Sequence, residues 1–415
     1  MRGKYFCRGC NSKLLFEAID LGFSPLANKL LNFENLEEAE TWYPLKMRIC
    51  ENCSLGQVGE FSEKSDIFLD YPYLSSTSSS WLEVNKLFAD EMTELLELTE
   101  NDLVLELASN DGYLLKYFLD KGIKVLGVEP ALNVSTLAAI QGIPTSPEFF
   151  SHTFAKNLLR KSINPRLIVA KNVIAHVPDL RDVLSGISEI ADEETLIVFE
   201  FPNLLNIMHK MQFDTIYHEH FSYLSATFFE KLLPEFGLKI AGLQNIETHG
   251  GSLRLFILKN STNVSLESNF YLNLENQLKH ERKANITSRE VWKNISIQIQ
   301  HQLEKINSWI NDADFRIIGY GAAAKSVTLL STSQVKRLSV PYCIDNSEAK
   351  IGKFLPGSHT KVVSENDYFQ NLHRDGDVFL IFPWNIEKEL TQRIRMKKAD
   401  ARVFIALPDL KEIEV

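Results

Sequence analysis

The 415-residue chain contains no uninterrupted apolar run approaching the roughly 18 residues that a membrane-spanning helix needs. Its opening, MRGKYFC, has no apolar signal core, so a soluble cytoplasmic protein without a membrane partner is expected. Positive charge is also in short supply: 44 Lys and Arg stand against 54 Asp and Glu, for a formal net charge of -10. That balance argues against broad nucleic-acid binding and leaves a small anionic ligand open. Low-complexity tails and internal repeats are missing as well. Cysteine and histidine are scarce, at five and ten residues, so places where they cluster carry information.

Four of the five cysteines form two CxxC pairs, Cys7 and Cys10 in CRGC and Cys50 and Cys53 in CENC. Each pair can present two thiolates from a tight turn, and together they fill a tetrahedral zinc shell with no position left for water. The expectation is structural Zn2+; unliganded buried thiols or a redox pair are the alternatives. Cys343 reads as a core thiol.

The stretch SSSWLEVNKLFADEMTELLEL predicts a helix with a buried stripe through Trp81, Val84, Leu87, Phe88, Met92 and Leu95. LVLELASNDGYLLKYFLDKGIKVLGVEP then reads as strand, turn, helix and strand, and LIVAKNVIAHV and TLIVFEFP add strands to a mostly parallel sheet. Ligands of such sheets sit at the carboxyl ends of the strands. This gives Glu106, Asn110, Asp111 and Gly112 of the first turn, and Glu129 at the end of the second strand, candidate roles in holding a cofactor. The turn is not GxGxxG, and its carboxylates would oppose a pyrophosphate. S-adenosyl-L-methionine, with a ribose and an amino-acid moiety but no phosphate, suits it better; another nucleotide or a purely structural turn is not excluded. Beyond LIVA, Asn172 is placed to meet the cofactor and His176 the substrate, unless they only satisfy local backbone groups.

YHEHFSY, residues 217–223, is the densest polar strip. His218 and His220 are two apart, unlike the i, i+4 histidines of a zinc helix, so a metal is disfavoured. Proton transfer by histidine, oriented by Glu219 or a tyrosine, and a polar helix start with Phe221 and Phe228 packed inward both remain. THGGSLR leads from a loop into a strand, with Arg254 available for a diphosphate or an ion pair. Residues 268–310 read as a helical connector. FRIIGYGAAAKS is a strand and turn that can hold an anion near backbone amides and Lys325, or else pack a helix closely. PYCIDNSEAKIGKFLPG, DVFLIFPWN and ARVFIALP continue the rhythm of a second Rossmann-like domain.

The combination of the CxxC pairs with ELASNDG, NVIAHVPD, YHEHFSYLS, THGGSLR and GYGAAAKS resembles the nucleotide-sugar C-methyltransferase family, the deoxysugar 3-C-methyltransferases, over nearly the whole chain. The resemblance implies an α/β protein with a small zinc-binding domain at 1–66 and a class I S-adenosylmethionine-dependent Rossmann-like domain at 67–262. A helical connector at 263–310 and a Rossmann-like sugar-nucleotide domain at 311–415 follow. It implies Cys7, Cys10, Cys50 and Cys53 as zinc ligands, and Glu106, Asn110, Asp111, Gly112, Glu129 and Asn172 around the cofactor. His220 becomes the base, with Tyr217, Glu219, His176 and Tyr71 lining the reaction centre and Lys325 near the sugar nucleotide. The implied reaction adds a methyl group to C3 of a nucleoside-diphosphate 4-keto-6-deoxyhexose, most simply dTDP-linked, through an enolate. O- or N-methylation of a sugar nucleotide, or binding without turnover, are the competing readings. A monomer is the expected state. Two departures stand out: Ala108 lies near a usual glycine, and Ser326 replaces a common one.

Overall fold

The computed structural model describes residues 5–61, 74–77 and 79–414. At the amino terminus, β1 (Leu15–Ser24) and β2 (Tyr43–Cys50) pair antiparallel, and β3 (Gly56–Gln57) joins β2 on its other side. In β2 Leu45, Met47 and Ile49 are buried and alternate with Lys46 and Arg48, the period of a strand with one core face, before the buried Cys50 ends it.

The central sheet begins with β4 (Leu103–Leu107), β5 (Lys124–Val128), β6 (Thr145–Ser146), β7 (Leu167–Lys171) and β8 (Leu196–Pro202), all parallel. LIVAK and LIVFEF are buried throughout because helices cover both faces, which is why they read as apolar runs and do not alternate. The chain then leaves this sheet: β9 (Ser222–Tyr223), the end of the YHEHFSY strip, pairs with β3 and gives the amino-terminal sheet its fourth strand. β10 (Leu238–Ile246) and β11 (Ser252–Lys259) return and complete the order β10-β11-β8-β7-β4-β5-β6, with β11 antiparallel to both neighbours. Strand order reverses between β4 and β7, so the crevice at their carboxyl ends receives the 106–112 turn and Asn172.

Helices Ser268–Ala284 and Arg289–Asn311 form the connector. A second doubly wound sheet follows: β12 (Ile317–Tyr320), β13 (Tyr342–Ile344), β14 (Lys361–Val363), β15 (Val378–Ile381), β16 (Arg402–Ile405) and the short antiparallel β17 (Lys411–Glu412). Its order is β14-β13-β12-β15-β16-β17, and its switch point lies between β12 and β15.

The core runs through all these parts. Leu45 and Met47 of β2, Phe213 and Ile216 ahead of the strip, Trp292 and Ile299 of the long helix, and Ile317 and Val378 of the last sheet belong to one apolar cluster. Cys7, Cys50 and Cys53 join a second cluster with Leu105, Phe199 and Phe228.

One expectation is corrected and one alternative settled. The helix at Ser79–Leu95 exists, but Leu87 is 61% exposed while Asn85 turns inward, where its Oδ1 accepts a hydrogen bond from Lys171 Nζ at 2.7 Å. Of the two roles open to Arg254, the structure shows the ion pair. The residue is buried, paired with Glu200 at 3.1 Å and Glu91 at 3.0 Å, hydrogen-bonded to Gln244 and seated over the Phe88 ring. Lys171, also buried, lies 3.4 Å from the same Glu200. Cutting one member from such a network strands buried charge, so Arg254→Met is expected to destabilise the central domain by about 3 kcal/mol or more, read as a lower denaturation midpoint.

Candidate active site

The four thiols of the two CxxC turns converge: all Sγ atoms lie within 4.8 Å of one another, with Cys7 and Cys53 at 3.4 Å and Cys10 and Cys50 at 3.6 Å. Tetrahedral zinc with bonds of about 2.3 Å requires sulfur separations of about 3.8 Å, so the set fits that ion. The two turns are built alike. Asn11 and Ser54, each directly after the second cysteine, adopt φ of 58° and 69°, and their amides donate to the Cys7 and Cys50 carbonyls, both at 2.9 Å. Packed against one another, the thiols are pushed apart in acidity, Cys50 downward and Cys7 upward. Four sulfurs this close cannot all ionise unaided, and a divalent cation is what allows it.

The knuckles also hold their neighbours. Arg8, between the first two cysteines, is buried; its guanidinium donates to the Phe221 carbonyl and, at 3.1 Å, to that of Val58.

At the carboxyl end of β4 the backbone turns sharply, with Ala108, Asn110 and Gly112 at φ of 50°, 51° and 78°. Ala108 thus occupies a left-handed position where glycine is least strained, which accounts for the residue usual there. Gly112 is called for both by its left-handed φ and by packing, since a Cβ there would stand 2.2 Å from Ile143. Glu129, just past β5, accepts the Asn110 amide at 3.0 Å on one oxygen and the Ala131 amide at 2.9 Å on the other, keeping a lone pair on each. Glu106 is buried beneath the turn, and desolvation raises its carboxyl well above the usual range. Asp111 Oδ1, Glu106 Oε2 and Asn172 Oδ1 are buried acceptors without a hydrogen-bond partner among the described residues. Orphaned acceptors fit a ligand bringing ammonium and hydroxyl donors, as S-adenosylmethionine does, and disfavour phosphates. Sequence reasoning missed the cover of this turn: the amides of Ser75 and Ser76 donate to Asn110 Oδ1 at 2.9 Å and Asp111 Oδ2 at 3.2 Å.

Residues 217–221 form neither helix nor strand. A 3-10 turn at Phe213–Thr215 leads into an irregular bend before β9. His220 Nδ1 lies 2.9 Å from the Thr215 carbonyl, which can only accept, so Nδ1 carries the hydrogen and Nε2 is left to accept. What it faces is the Tyr217 hydroxyl at 2.6 Å. Tyr217 and His220 are half-buried, whereas His218 and Glu219 between them are buried. His176, in the turn after β7, donates from Nδ1 to the Glu219 carbonyl at 2.8 Å and stands edge-on to His220 with ring centroids 4.6 Å apart. Desolvation depresses His176 to about 4, keeping it neutral.

The structure therefore brings Tyr217, His220 and His176 together. The Glu219 carboxylate turns away from them and accepts the Asn28 amide at 3.1 Å. His218 packs edge-on against Tyr43 and Phe61, with Nε2 3.3 Å from the Pro44 carbonyl. Tyr71 lies outside the described residues. At GYGAAAKS the Ala322 amide donates to Asp345 Oδ2 at 2.8 Å, and Lys325 Nζ donates to Asn385 at 2.8 Å. Ser326, at the second departure, bonds the Ala323 carbonyl from within the helix.

Residues 7–68 match the family described as "Putative zinc binding domain", residues 80–242 that described as "Methyltransferase domain", and residues 247–408 that described as "C-methyltransferase C-terminal domain". The C-methyltransferase NovU of Streptomyces niveus is 29% identical over 387 residues, covering 92% of this chain and 90% of its own length. A SAM-dependent methyltransferase of Archaeoglobus fulgidus is 18% identical with a TM-score of 0.33, covering 48% of this chain and 88% of that one. The magnesium protoporphyrin IX methyltransferase of Synechocystis PCC 6803, solved with bound SAM, is 14% identical with a TM-score of 0.32, over 43% and 82%.

Metal analysis is expected to give one zinc per chain, and Cys50→Ser or a strong chelator to lower the thermal midpoint by releasing it. A second expectation concerns His218, held at about 4 by burial against an ordinary 6.5. Between those values the unfolded chain binds more protons than the folded one, so stability falls as pH drops through that window. In thermal melts from pH 7 to 4, His218→Gln should show a smaller decline than the parent protein.

Proposed function

We propose that the chain is a C-methyltransferase whose acceptor is a sugar nucleotide, a nucleoside-diphosphate 4-keto-6-deoxyhexose, and that the methyl group goes to C3; its three domain matches and its similarity to a C-methyltransferase over most of its length support this reading. When bound, S-adenosylmethionine supplies an electrophilic methyl group on a sulfonium; the protein's own task is to hold it and to remove a proton from carbon. Glu129 would take the ribose hydroxyls on its remaining lone pairs. Asp111 and Asn172 would take the donors of the amino-acid moiety. Asn110 and the Ser75–Ser76 amides keep the turn closed over them.

The observation that carries the reading is the Tyr217–His220 pair, a hydroxyl donating to an imidazole nitrogen at 2.6 Å beside a second, neutral imidazole. The ketone acidifies the C3–H bond. Tyr217 Oη takes that proton as its own passes to His220 Nε2, and the electron pair of the broken C–H bond is delocalised onto the ketone oxygen as an enolate. His176, held neutral, adds no competing positive charge and keeps the bend in place through the Glu219 carbonyl. His220, once protonated, stands as the countercharge to the enolate.

Incubation with a dTDP-4-keto-6-deoxyhexose and S-adenosylmethionine carrying a deuterated methyl is expected to place the label on C3 by NMR; a label on oxygen or nitrogen would overturn the assignment. In deuterated buffer, His220→Ala and Tyr217→Phe should each slow exchange of the C3 proton by about 100-fold or more. Full exchange in folded Tyr217→Phe would mean that His220 takes the proton directly.

A further inference from the structure

Asp214 immediately precedes Thr215, whose carbonyl orients His220, yet the reaction above gives it no role. Its side chain is 1% exposed, and Oδ1 has no hydrogen-bond partner among the described residues. Oδ2 accepts from the indole Nε1 of Trp384 at 2.8 Å. Trp384 comes from a different domain, in the PWN turn after β15 at the switch point of the carboxy-terminal sheet. Lys325 rests on the face of its ring at 4.1 Å, and a Cβ on Gly250 would stand 2.2 Å from that ring. The indole is therefore held by close contacts with both Lys325 and the Gly250 backbone. A carboxylate among Phe213, Ile216 and their apolar neighbours is costly unless donors meet it. Burial raises Asp214 to about 6, and the nearby Lys325 charge opposes that rise.

We infer that Asp214 and Trp384 are positioning residues: their hydrogen bond, made across the domain boundary, fixes the turn that carries the Thr215 carbonyl and so holds His220 in the Nδ1–H tautomer whose Nε2 meets Tyr217. A neutral imidazole with no such partner populates both tautomers, and the one protonated on Nε2 cannot accept a proton there. The inference rests on His220 as the proton acceptor proposed above, but its first test does not need a substrate.

With 15N-histidine-labelled full-length protein, the ring-nitrogen signals of His220, identified by their loss in His220→Asn, should report the Nδ1–H tautomer. Trp384→Phe keeps the ring and removes the donor; Asp214→Leu removes the acceptor, so either variant that folds suffices. Both are expected to shift His220 toward the Nε2–H or an averaged form, and Asp214→Asn, which keeps an acceptor, to retain more of the parent signature. In methyl transfer, both should lower kcat about tenfold with KM for S-adenosylmethionine unchanged. Asp214→Asn should recover about half or more of that loss, and Trp384→Phe should cost nothing further in a His220→Asn background. An unchanged His220 tautomer in folded Trp384→Phe or Asp214→Leu overturns the inference, whatever sugar is methylated. A changed tautomer with no transfer by the parent protein to any 4-keto sugar supports it and rejects the reaction proposed above.

Discussion

The bend from Phe213 to Phe221 has little regular structure of its own, so its geometry is imposed by what grips it. From the amino-terminal module, Arg8 holds the Phe221 carbonyl, the Asn28 amide meets the Glu219 carboxylate, and the Pro44 carbonyl takes His218. From the central sheet, His176 holds the Glu219 carbonyl. From the carboxy-terminal domain, Trp384 holds Asp214. Each contact satisfies a buried polar group that would otherwise be costly, so the bend is stable only where the three parts meet. The half-buried Tyr217 and His220 face the site because their neighbours are tied inward.

This constraint gives a metal centre without an open coordination position a bearing on chemistry. The knuckles set the backbone around Arg8, whose guanidinium, depressed to about 10 by burial, sits 5.3 Å over the Phe221 ring as well as on its carbonyl. The Gly9 carbonyl takes a bond from Arg181 of the central domain at 2.9 Å, and Lys231 bonds the Asn52 carbonyl at 2.8 Å. The zinc module and the bend are thus tied to each other and to the central sheet. The continuous core running from β2 through Trp292 to the last sheet enforces the same unity.

Much of this was legible in the sequence, because its signals are local. Paired CxxC spacing, apolar runs of buried parallel strands, an acid directly after a strand and small residues at left-handed turns each act within a few positions. Contacts that join distant residues left no such trace. Asp214 and Trp384 are 170 positions apart, and neither differs locally from an ordinary turn residue. Arg254 looked available because its partners Glu91 and Glu200 lie 163 and 54 positions away. β9 is two residues long and pairs outside its own sheet, so no periodicity announces it. Nor does the sequence around Gly112 announce Ile143, 31 positions on, whose side chain would meet a Cβ there.

The two histidines at the centre show why chemical roles here depend on surroundings more than on residue type. With rings 4.6 Å apart, both cannot be charged without repulsion in a poorly solvated site. Their environments separate them. His176 is desolvated and, at about 4, stays neutral near neutral pH, its Nδ1–H committed to a carbonyl. His220 makes the same kind of bond to Thr215, but its other nitrogen faces a tyrosine hydroxyl, a group through which a proton can arrive. The difference lies in what each second nitrogen meets: His176 is kept neutral by burial, while His220 has a tyrosine hydroxyl in line with Nε2. On the proposed reaction, a positive charge can then appear on only one ring, the one in line with Tyr217.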